Sequence, residues 1–209
     1  MTATEATNPV VVPDRMGPTR GVVFVRNARG ARVQAPDLER WLRLVRTVFK
    51  CDRVDAIARG EDLGVLRGLR AAADELDLRI SLRTDCADAP PAADALRAAN
   101  LWDVLLCPAR ADALELDAWL RVCEQAGLAV RVQLVAPFDR DLDAARAVER
   151  LARACVVNIA ADDPFTDAPP ARSALHSASS VQQAAVLARA IAARGIEVNL
   201  VRFPFCAFD

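Results

Sequence analysis

Short apolar runs rich in β-branched residues recur along the chain, and a longer mixed segment separates each run from the next. Each run is nearly continuous in apolar character, without the strict alternation of a strand that has one face in water. The runs therefore predict strands buried on both faces, as in a parallel sheet. They are GVVFVR (21–26), RVDAIA (53–58), LRISLR (78–83), WDVLLC (102–107), LAVRVQLV (128–135), CVVNIA (155–160) and IEVNLVRF (196–203).

The segments between the runs carry apolar residues at helical spacing. In the first segment Leu38, Leu42 and Val45 fall on one face of a helix, and Pro36 suits its first turn. Gly127 is placed to end the fourth helix. The order of elements is therefore β-α six times and then a seventh strand, with helical patterns over residues 36–49, 65–76, 91–99, 116–123, 142–151 and 180–195.

Parallel strands joined by right-handed crossovers form either a doubly wound sheet or a barrel. No glycine-rich phosphate-binding fingerprint follows the first run, which disfavours a dinucleotide-binding sheet, and units of similar length favour a barrel. We predict an α/β fold, a (β/α)6-type partial TIM barrel with parallel strands plus a C-terminal seventh strand. It forms a single domain over residues 21–209 after a disordered leader over residues 1–20; a generic TIM-like barrel is the alternative.

Composition changes this picture little. The chain has 209 residues, 53% of them hydrophobic, and a formal net charge of −1, which suits one domain with a sizeable core. This charge balance gives no reason to expect a nucleic acid or a membrane surface as partner. No apolar run approaches the roughly 18 residues that span a bilayer, and the N-terminus lacks the features of a signal peptide. We therefore expect a cytoplasmic protein.

Polar residues follow most of the predicted strands. In parallel barrels such residues converge at the carboxyl ends of the strands, where ligands bind. Four of them are arginines, which would either lie singly in water or together form a positive mouth for a carboxylate or phosphate. The candidate ligand-binding set is Arg26, Asn27, Arg59, Gly60, Glu61, Arg83, Thr84, Asp85, Gln133, Asn158 and Arg202.

Candidates for acid–base chemistry are few. Glu61 and Asp85 follow neighbouring strands and could divide the roles of acid and base, although salt bridges to Arg59 and Arg83 are the alternative. His176 is the only histidine, and a lone loop histidine is usually just exposed. The catalytic residues are therefore unknown, with these two carboxylates as candidates.

Metal binding has little support in the sequence. None of the six cysteines has C-x-x-C spacing, so no zinc ribbon or redox motif is indicated. Cys86, Cys107 and Cys206 could supply three thiolates at one end of a barrel, but buried cysteines are more often small apolar residues. Asn158 with Asp162 and Asp163 could hold a divalent cation, although paired acids before a proline more often form a turn. We expect no metal.

The chain resembles the radical SAM enzymes, whose core is a six-unit partial barrel. That family carries C-x-x-x-C-x-x-C in the loop after its first strand, and the cysteines bind a [4Fe–4S] cluster. The corresponding loop here has the same spacing and the asparagine Asn27, but Arg26, Gly30 and Val33 occupy the cysteine positions. Gly60 and Glu61 are similar to the family's Gly-Gly-Glu-Pro segment, which contacts the amino group of SAM.

The resemblance implies a relative without a cluster, because arginine, glycine and valine cannot replace thiolate ligands. We expect a pseudoenzyme that acts as a binding or scaffolding partner, for instance of a peptide- or protein-modifying enzyme. No cofactor is expected, and SAM binding without a cluster is left open, as is a homodimer. The alternative is a cofactor-free barrel enzyme whose arginine rim holds a small anionic substrate.

Overall fold

Parallel strands in chain order form one sheet in the computed structural model, which describes residues 20–27, 29–111, 113–136, 138, 144–161 and 178–201. Each strand pairs in parallel with the next along the chain, as the sequence predicts for a parallel barrel. The described strands are β1 (Arg20–Phe24), β2 (Arg53–Ile57), β3 (Arg79–Thr84), β4 (Asp103–Leu106), β5 (Ala129–Val135), β6 (Val156–Ala160) and β7 (Glu197–Val201). β1 begins at Arg20, one residue inside the predicted leader.

Helices alternate with these strands. Their bounds are α1 (Ala35–Thr47), α2 (Leu63–Gly68), α3 (Arg70–Glu75), α4 (Ala93–Ala98), α5 (Leu114–Ala126), α6 (Ala144–Leu151) and α7 (Ala178–Ala192). Within the described residues, no helix is both long and apolar enough to cross a membrane.

The single helix predicted over 65–76 is interrupted. The irregularity lies at Leu69, which directly follows Gly68, a residue that weakens helices because its backbone is the most flexible. Helical hydrogen bonds nevertheless continue across it, from Leu69 N–H to Val65 O at 3.1 Å and from Ala73 N–H to Leu69 O at 3.0 Å. The apolar face of the segment is therefore continuous through α2 and α3.

The helix ends follow local sequence as expected. Pro36 lies in the first turn of α1, together with Asp37, where a missing N–H and a negative charge are both favourable. Gly127 caps α5 with φ of 71°, the left-handed conformation that glycine adopts without strain.

Alternate residues of the strands form the core against the helices. Val54, Leu82, Val104 and Val132 are buried and belong to one apolar cluster. The helices contribute Leu38, Leu42, Leu66, Leu96, Leu116, Trp119 and Leu120 to the same cluster. The remaining alternate positions point to the opposite, inner face of the sheet.

The inner face is unusually polar for a parallel barrel, where branched apolar residues dominate. Its buried or partly buried residues include Asp55, Ser81, Arg83, Asp103 and Arg131. The register places two of them side by side, since Asp55 is the partner of Ser81 on the neighbouring strand. The inner face therefore carries several buried or partly buried charged side chains.

Candidate functional site

The loop after β1 is a tight hairpin. Val33 N–H donates to Val25 O at 2.8 Å, and Asn27 N–H donates to Ala31 O at 2.9 Å. The Asn27 side-chain oxygen accepts the N–H groups of Arg29 at 2.9 Å and Ala31 at 3.1 Å. Asn27 thus stabilises the turn, as asparagine commonly does.

The turn at Gly60–Asp62 follows β2. The side chain of Asp62 connects this turn to the hairpin by hydrogen bonds. Arg26 donates from Nε and from Nη2 to the two Asp62 carboxylate oxygens, at 2.8 Å each. Arg32 donates from Nε to Asp62 Oδ1 at 2.8 Å. We call Arg26, Arg32 and Asp62 the Asp62 clamp.

Additional bonds complete the clamp. Arg26 Nη2 also donates to Glu61 Oε1 at 2.6 Å, and its Nη1 donates to Gly30 O at 3.0 Å. The Arg59 N–H donates to Asp62 Oδ2 at 3.1 Å. The Asp62 side chain is 0% exposed, so its charge is compensated entirely by these donors, as a buried carboxylate requires.

The clamp favours the charged forms of Asp62 and Arg26. Burial works to raise the pKa of Asp62, but hydrogen bonds from Arg26, Arg59 N–H and Arg32 outweigh burial, and the net pKa lies below its usual 3.8. The hydrogen bond to Asp62 is the main reason that the pKa of Arg26 is raised. Arg26 is therefore already paired and does not present a free cation to a ligand.

The other predicted rim residues are placed by local contacts. Arg59 lies 3.7 Å from Asp88 in an exposed ion pair, and Glu61 pairs with Arg26. Asp85 Oδ1 accepts the Ala87 N–H at 3.0 Å, so this carboxylate forms a turn. No described contact joins the two carboxylates Glu61 and Asp85.

Gly60, Arg83 and Thr84 hold positions close to other parts of the chain. A Cβ on Gly60 would lie 3.1 Å from Pro91 Cδ, so glycine allows the loop after β3 to approach. Arg83 and Thr84 are buried at the end of β3. Arg202, His176, Asp162, Asp163 and Cys206 lie outside the described residues.

A second charged group lies on the inner face, away from the carboxyl ends of the strands. Arg131 donates to both oxygens of Asp103, from Nε at 2.7 Å and from Nη2 at 2.9 Å, and Nη2 also reaches Asp55 Oδ1 at 3.1 Å. Arg20 donates from Nη1 to the same Asp55 oxygen at 2.9 Å. We call Arg20, Asp55, Asp103 and Arg131 the inner cluster.

Within the inner cluster, Asp103 and Arg131 favour the ionised form of each other. Burial works to raise the pKa of Asp103, but the hydrogen bonds and positive charge of Arg131 lower it below the usual 3.8. Burial works to lower the pKa of Arg131, and its two aspartate partners raise it. Arg131 therefore joins β5 to β2 and β4 across the inner face by charge-assisted bonds.

Three side-chain amides form a row beside the inner cluster. Gln133 on β5 is the register partner of Asn158 on β6, which is the partner of Asn199 on β7. The Asn199 amide donates to Asn158 Oδ1 at 3.3 Å. The structure thus brings the predicted residues Gln133 and Asn158 together, and we call Gln133, Asn158 and Asn199 the amide row.

The described cysteines form no disulfide bond with one another. Cys86 is buried and Cys107 is partly buried, and burial raises the pKa of Cys86 far above its usual 9.0. Among the residues that the structure describes, no group of three or more histidine, cysteine or acidic side chains could hold a metal ion.

A cavity of about 360 Å³ opens at the other end of the sheet. Its lining includes Leu78, Arg79, Leu101 and Trp102, at the amino-terminal ends of β3 and β4. The Arg79 guanidinium stacks 4.1 Å from the Trp102 ring centre. Because ligands of parallel barrels bind at the carboxyl ends of the strands, we assign this cavity no part in the candidate site.

Comparisons with known proteins identify the fold but no family. No family model and no curated protein matches the sequence. The carboxyl transferase domain of Rhizobium etli pyruvate carboxylase with pyruvate is similar in structure, with a TM-score of 0.51 and 10% identity over 91% of this chain. The same domain with pyruvate and biocytin gives a TM-score of 0.50 at 9% identity and 91% coverage, and a third structure gives 0.51 at 9% and 92%.

This chain spans 38% of the length of each of these structures. At such low identity the likeness shows the fold alone, a parallel α/β arrangement similar to a TIM barrel.

Proposed function

We propose that the protein is a radical SAM-like partial barrel without a cluster, which acts as a non-catalytic binding or scaffolding partner of a peptide- or protein-modifying enzyme. The observation that carries this proposal is the Asp62 clamp. It occupies the loop after β1, where the resembling family binds its cluster, and it ties that loop to the next one with charged hydrogen bonds.

Each position that would supply a thiolate has a structural role instead. Arg26 is bonded to Asp62 and Glu61. Gly30 has φ of 78°, which the turn needs. The Val33 N–H donates to the carbonyl oxygen of Val25, which directly follows β1. A loop stabilised in this way has a reason to keep these residues that is unrelated to iron.

Acid–base catalysis by the two predicted carboxylates has weak support. Glu61 is hydrogen-bonded to an arginine and Asp85 to a backbone N–H, so neither is poised as a general base. Exposed apolar side chains, by contrast, lie along one side of α1, where Trp41, Leu44 and Val48 are 42%, 38% and 60% exposed. Such residues favour a protein that binds other proteins.

Anaerobic reconstitution tests the absence of a cluster. The full chain is incubated with iron and sulfide beside a radical SAM enzyme with an intact cysteine motif, and both are desalted. We expect a colourless protein without bound iron, while the control turns brown. Stoichiometric iron and sulfide on the chain would overturn the proposal.

Calorimetry with SAM tests whether cofactor binding survives without the cluster. We expect no heat of binding for the wild-type chain, because Glu61, which matches the family's contact to the SAM amino group, is engaged with Arg26. Binding that disappears in Glu61→Ala would instead show that the Gly60–Glu61 segment holds the ligand.

The scaffolding role is tested by cross-linking the tagged chain in its own cells, where recovery of a peptide-modifying enzyme is expected.

The amide row favours a second candidate, the cofactor-free enzyme acting on a small anion. Arg131 Nη1 has no hydrogen-bond partner among the described residues, and Arg131 shares the inner face with Gln133, two residues along β5. An anion could bind there rather than at the paired rim arginines. Thermal shifts with phosphate and citrate that disappear in Gln133→Leu would support this candidate; the absence of any shift would remove it.

A further inference from the structure

Two chain segments of the same pattern form most of the cavity of about 360 Å³ at the amino-terminal ends of β3 and β4. Each segment connects a helix to a strand through a residue in the left-handed conformation, then a buried leucine and an exposed side chain. The segments consist of Asp77, Leu78 and Arg79, and of Asn100, Leu101 and Trp102. Asp77 and Asn100 have φ of 51° and 47°, a conformation that aspartate and asparagine adopt more readily than most residues. The two leucines therefore give the cavity an apolar wall beside Arg79 and Trp102.

The mouth of this cavity is open to water. Its lining comes from residues within 70–79 and 100–102, and both ranges fall inside the continuously described stretch 29–111. Trp102 is 49% exposed, and Arg79 is exposed at the start of β3. A ligand can therefore reach both side chains from solvent.

The charged side chains of the lining leave one positive charge in excess. Arg70 donates from Nε to Asp74 Oδ2 at 2.9 Å, and Asp77 Oδ2 lies 3.5 Å from Arg46 Nη2. Among the described residues, the Arg79 side chain has neither an ion pair nor a hydrogen bond. The cavity is therefore suited to a ligand that carries a negative charge.

The stack of Arg79 on Trp102 prepares the guanidinium for such a ligand. Arg79 Cζ lies 4.1 Å from the centre of the Trp102 ring. Stacking uses the flat face of a guanidinium, whereas its N–H groups point outward in its plane. Two of these N–H groups match the oxygens of one carboxylate or phosphate. Because the stack already restricts the side chain, less conformational freedom is lost when an anion binds.

The neighbouring strand adds a second arginine at this end of the sheet. Arg53 on β2 is the register partner of Arg79, and like charges at paired positions repel each other. The two arginines of the inner cluster are offset by its two aspartates. Arg53 has an exposed carboxylate, that of Asp52, at 4.0 Å. An anion beside Arg79 therefore also reduces the repulsion between the two strands.

We propose that this cavity binds a small organic anion, in which a phosphate or carboxylate group is attached to an apolar or aromatic body. Arg79 donates to the anionic group, and Trp102, Leu78 and Leu101 contact the body. The volume of the cavity lies within the roughly 300–1,000 Å³ of small-molecule pockets. Parallel barrels carry out chemistry at their opposite end, so the anion is held here and not converted. This inference does not rest on the proposed function.

Calorimetry of the full chain with four probes tests the proposal. Phenyl phosphate and benzoate combine an anion with a ring, inorganic phosphate lacks the ring, and benzylamine carries a ring with the opposite charge. We expect the tighter of the two ring anions, which identifies the preferred anionic group, to bind at least about tenfold more tightly than inorganic phosphate, because the ring buries apolar surface. The proposal is overturned if neither ring anion binds, if inorganic phosphate binds as tightly, or if benzylamine does.

Substitutions at Arg79 test its role in binding. Arg79→Met should weaken binding of the tighter ring anion about tenfold or more, because a charge-assisted hydrogen bond is lost. Arg79→Lys keeps the charge and should lose less affinity. Arg121→Met is the matched control, because Arg121 is exposed on α5 and does not line the cavity. Circular dichroism verifies that each variant is folded, and equal losses in Arg79→Met and Arg121→Met would contradict the proposed site.

The indole N–H signals in a nuclear magnetic resonance spectrum locate the ligand. The chain has three tryptophans, and the signal that disappears in Trp102→Phe belongs to Trp102. The ring anion should shift this signal but not that of Trp119, whose ring N–H donates to Asp88 O at 2.9 Å in the core. A shift of the Trp41 signal without one at Trp102 would place the ligand on α1 and overturn the proposal. Iron uptake in the reconstitution experiment would overturn only the proposed function.

Discussion

Arg26 and Asp62, which are 36 residues apart in the chain, share a bidentate pair of hydrogen bonds of 2.8 Å each. Two parallel bonds between a guanidinium and a carboxylate give both energy and a fixed orientation. These two hydrogen bonds connect the loop after β1 to the turn after β2. Both segments lie at the carboxyl ends of the strands, where parallel barrels bind their ligands. Arg26 and Asp62 are therefore already engaged in contacts that stabilise the fold.

Replacing Asp62 with asparagine should destabilise the protein. The variant keeps the shape of the side chain but leaves Arg32 without its ion-pair partner and Arg26 with only the exposed carboxylate of Glu61. We expect the free energy of unfolding to fall by about 2–3 kcal/mol, less than for a fully buried pair because both arginines are partly in water. Urea unfolding measures the change. Glu61→Gln is the control, because the Glu61 side chain is 60% exposed, and a loss as large as that of Asp62→Asn would contradict the assignment of Asp62 as the anchor.

The same carboxylate should make the fold sensitive to acid. The pKa of Asp62 is lower in the folded protein than its usual 3.8, because donors from two arginines and a backbone N–H outweigh burial. Such a group stabilises the fold fully above its unfolded pKa, and the contribution is lost as the pH falls through the folded pKa. The pKa of Asp103 is lowered in the same direction. We expect stability to decline below about pH 4, and the decline to be shallower in Asp62→Asn.

Removal of the Arg131 guanidinium should lower the free energy of unfolding more than Asp62→Asn does. Arg131→Met leaves Asp55 and Asp103 buried with a single ion-pair partner between them, Arg20 on Asp55. An uncompensated buried carboxylate costs about 3–5 kcal/mol, so we expect a loss in this range by urea unfolding. Arg153→Met is the matched control, since its ion pair with Glu124 is 3.6 Å long and exposed, and it should change stability by less than about 0.5 kcal/mol.

The inner cluster shows what the sequence could and could not reveal. Strand positions were predictable because apolar runs and helical spacing are local properties, and parallel order followed from the crossover rule. A signal for the cluster was also present, because Asp55, Asp103 and Arg131 each place a charge inside an apolar run. The sequence analysis did not predict the inner cluster, because ligands of parallel barrels bind at the carboxyl ends of the strands and the candidate residues were taken from there.

The partners of the rim residues could not be read from the sequence. Glu61 and Asp62 are adjacent carboxylates with the same chemistry, and only the turn at Gly60–Asp62 decides which of them is buried. The sequence analysis gave a salt bridge between Glu61 and Arg59 as the alternative to catalysis. In the structure Glu61 instead forms a salt bridge with Arg26, and Arg59 forms one with Asp88. Such pairings depend on how two loops meet in space, which neither propensity nor spacing encodes.

Adding one methyl group to Gly21 should destabilise the fold. The new Cβ would lie 2.7 Å from Val45 Cγ1, so α1 must shift away from β1, at a cost of about 1–3 kcal/mol. Gly64→Ala is the control, because a Cβ there meets nothing within 4 Å in a helix, and it should stabilise by about 0.5 kcal/mol. The cost of Gly21→Ala should shrink in a Val45→Ala background. Equal costs in both backgrounds would contradict the proposed clash.

Thiol reactivity should separate the cysteines according to burial. Cys155 is exposed, whereas Cys86 and Cys123 are buried. Burial raises the pKa of Cys123 to about 12 and also raises that of Cys86, and the thiolate is the reactive form. With iodoacetamide at about pH 8 we expect Cys155 to be alkylated at least about a hundredfold faster than Cys86 or Cys123, as followed by peptide mass spectrometry.

Unfolding in urea should remove this difference, because all three thiols are then equally solvated. Cys155→Ser should abolish its rapid labelling without changing the slow rates of the other two, which report local opening of the core. Rapid labelling of Cys86 in the folded chain would show instead that the end of β3, where φ of 65° at Cys86 marks a tight turn, opens readily to water.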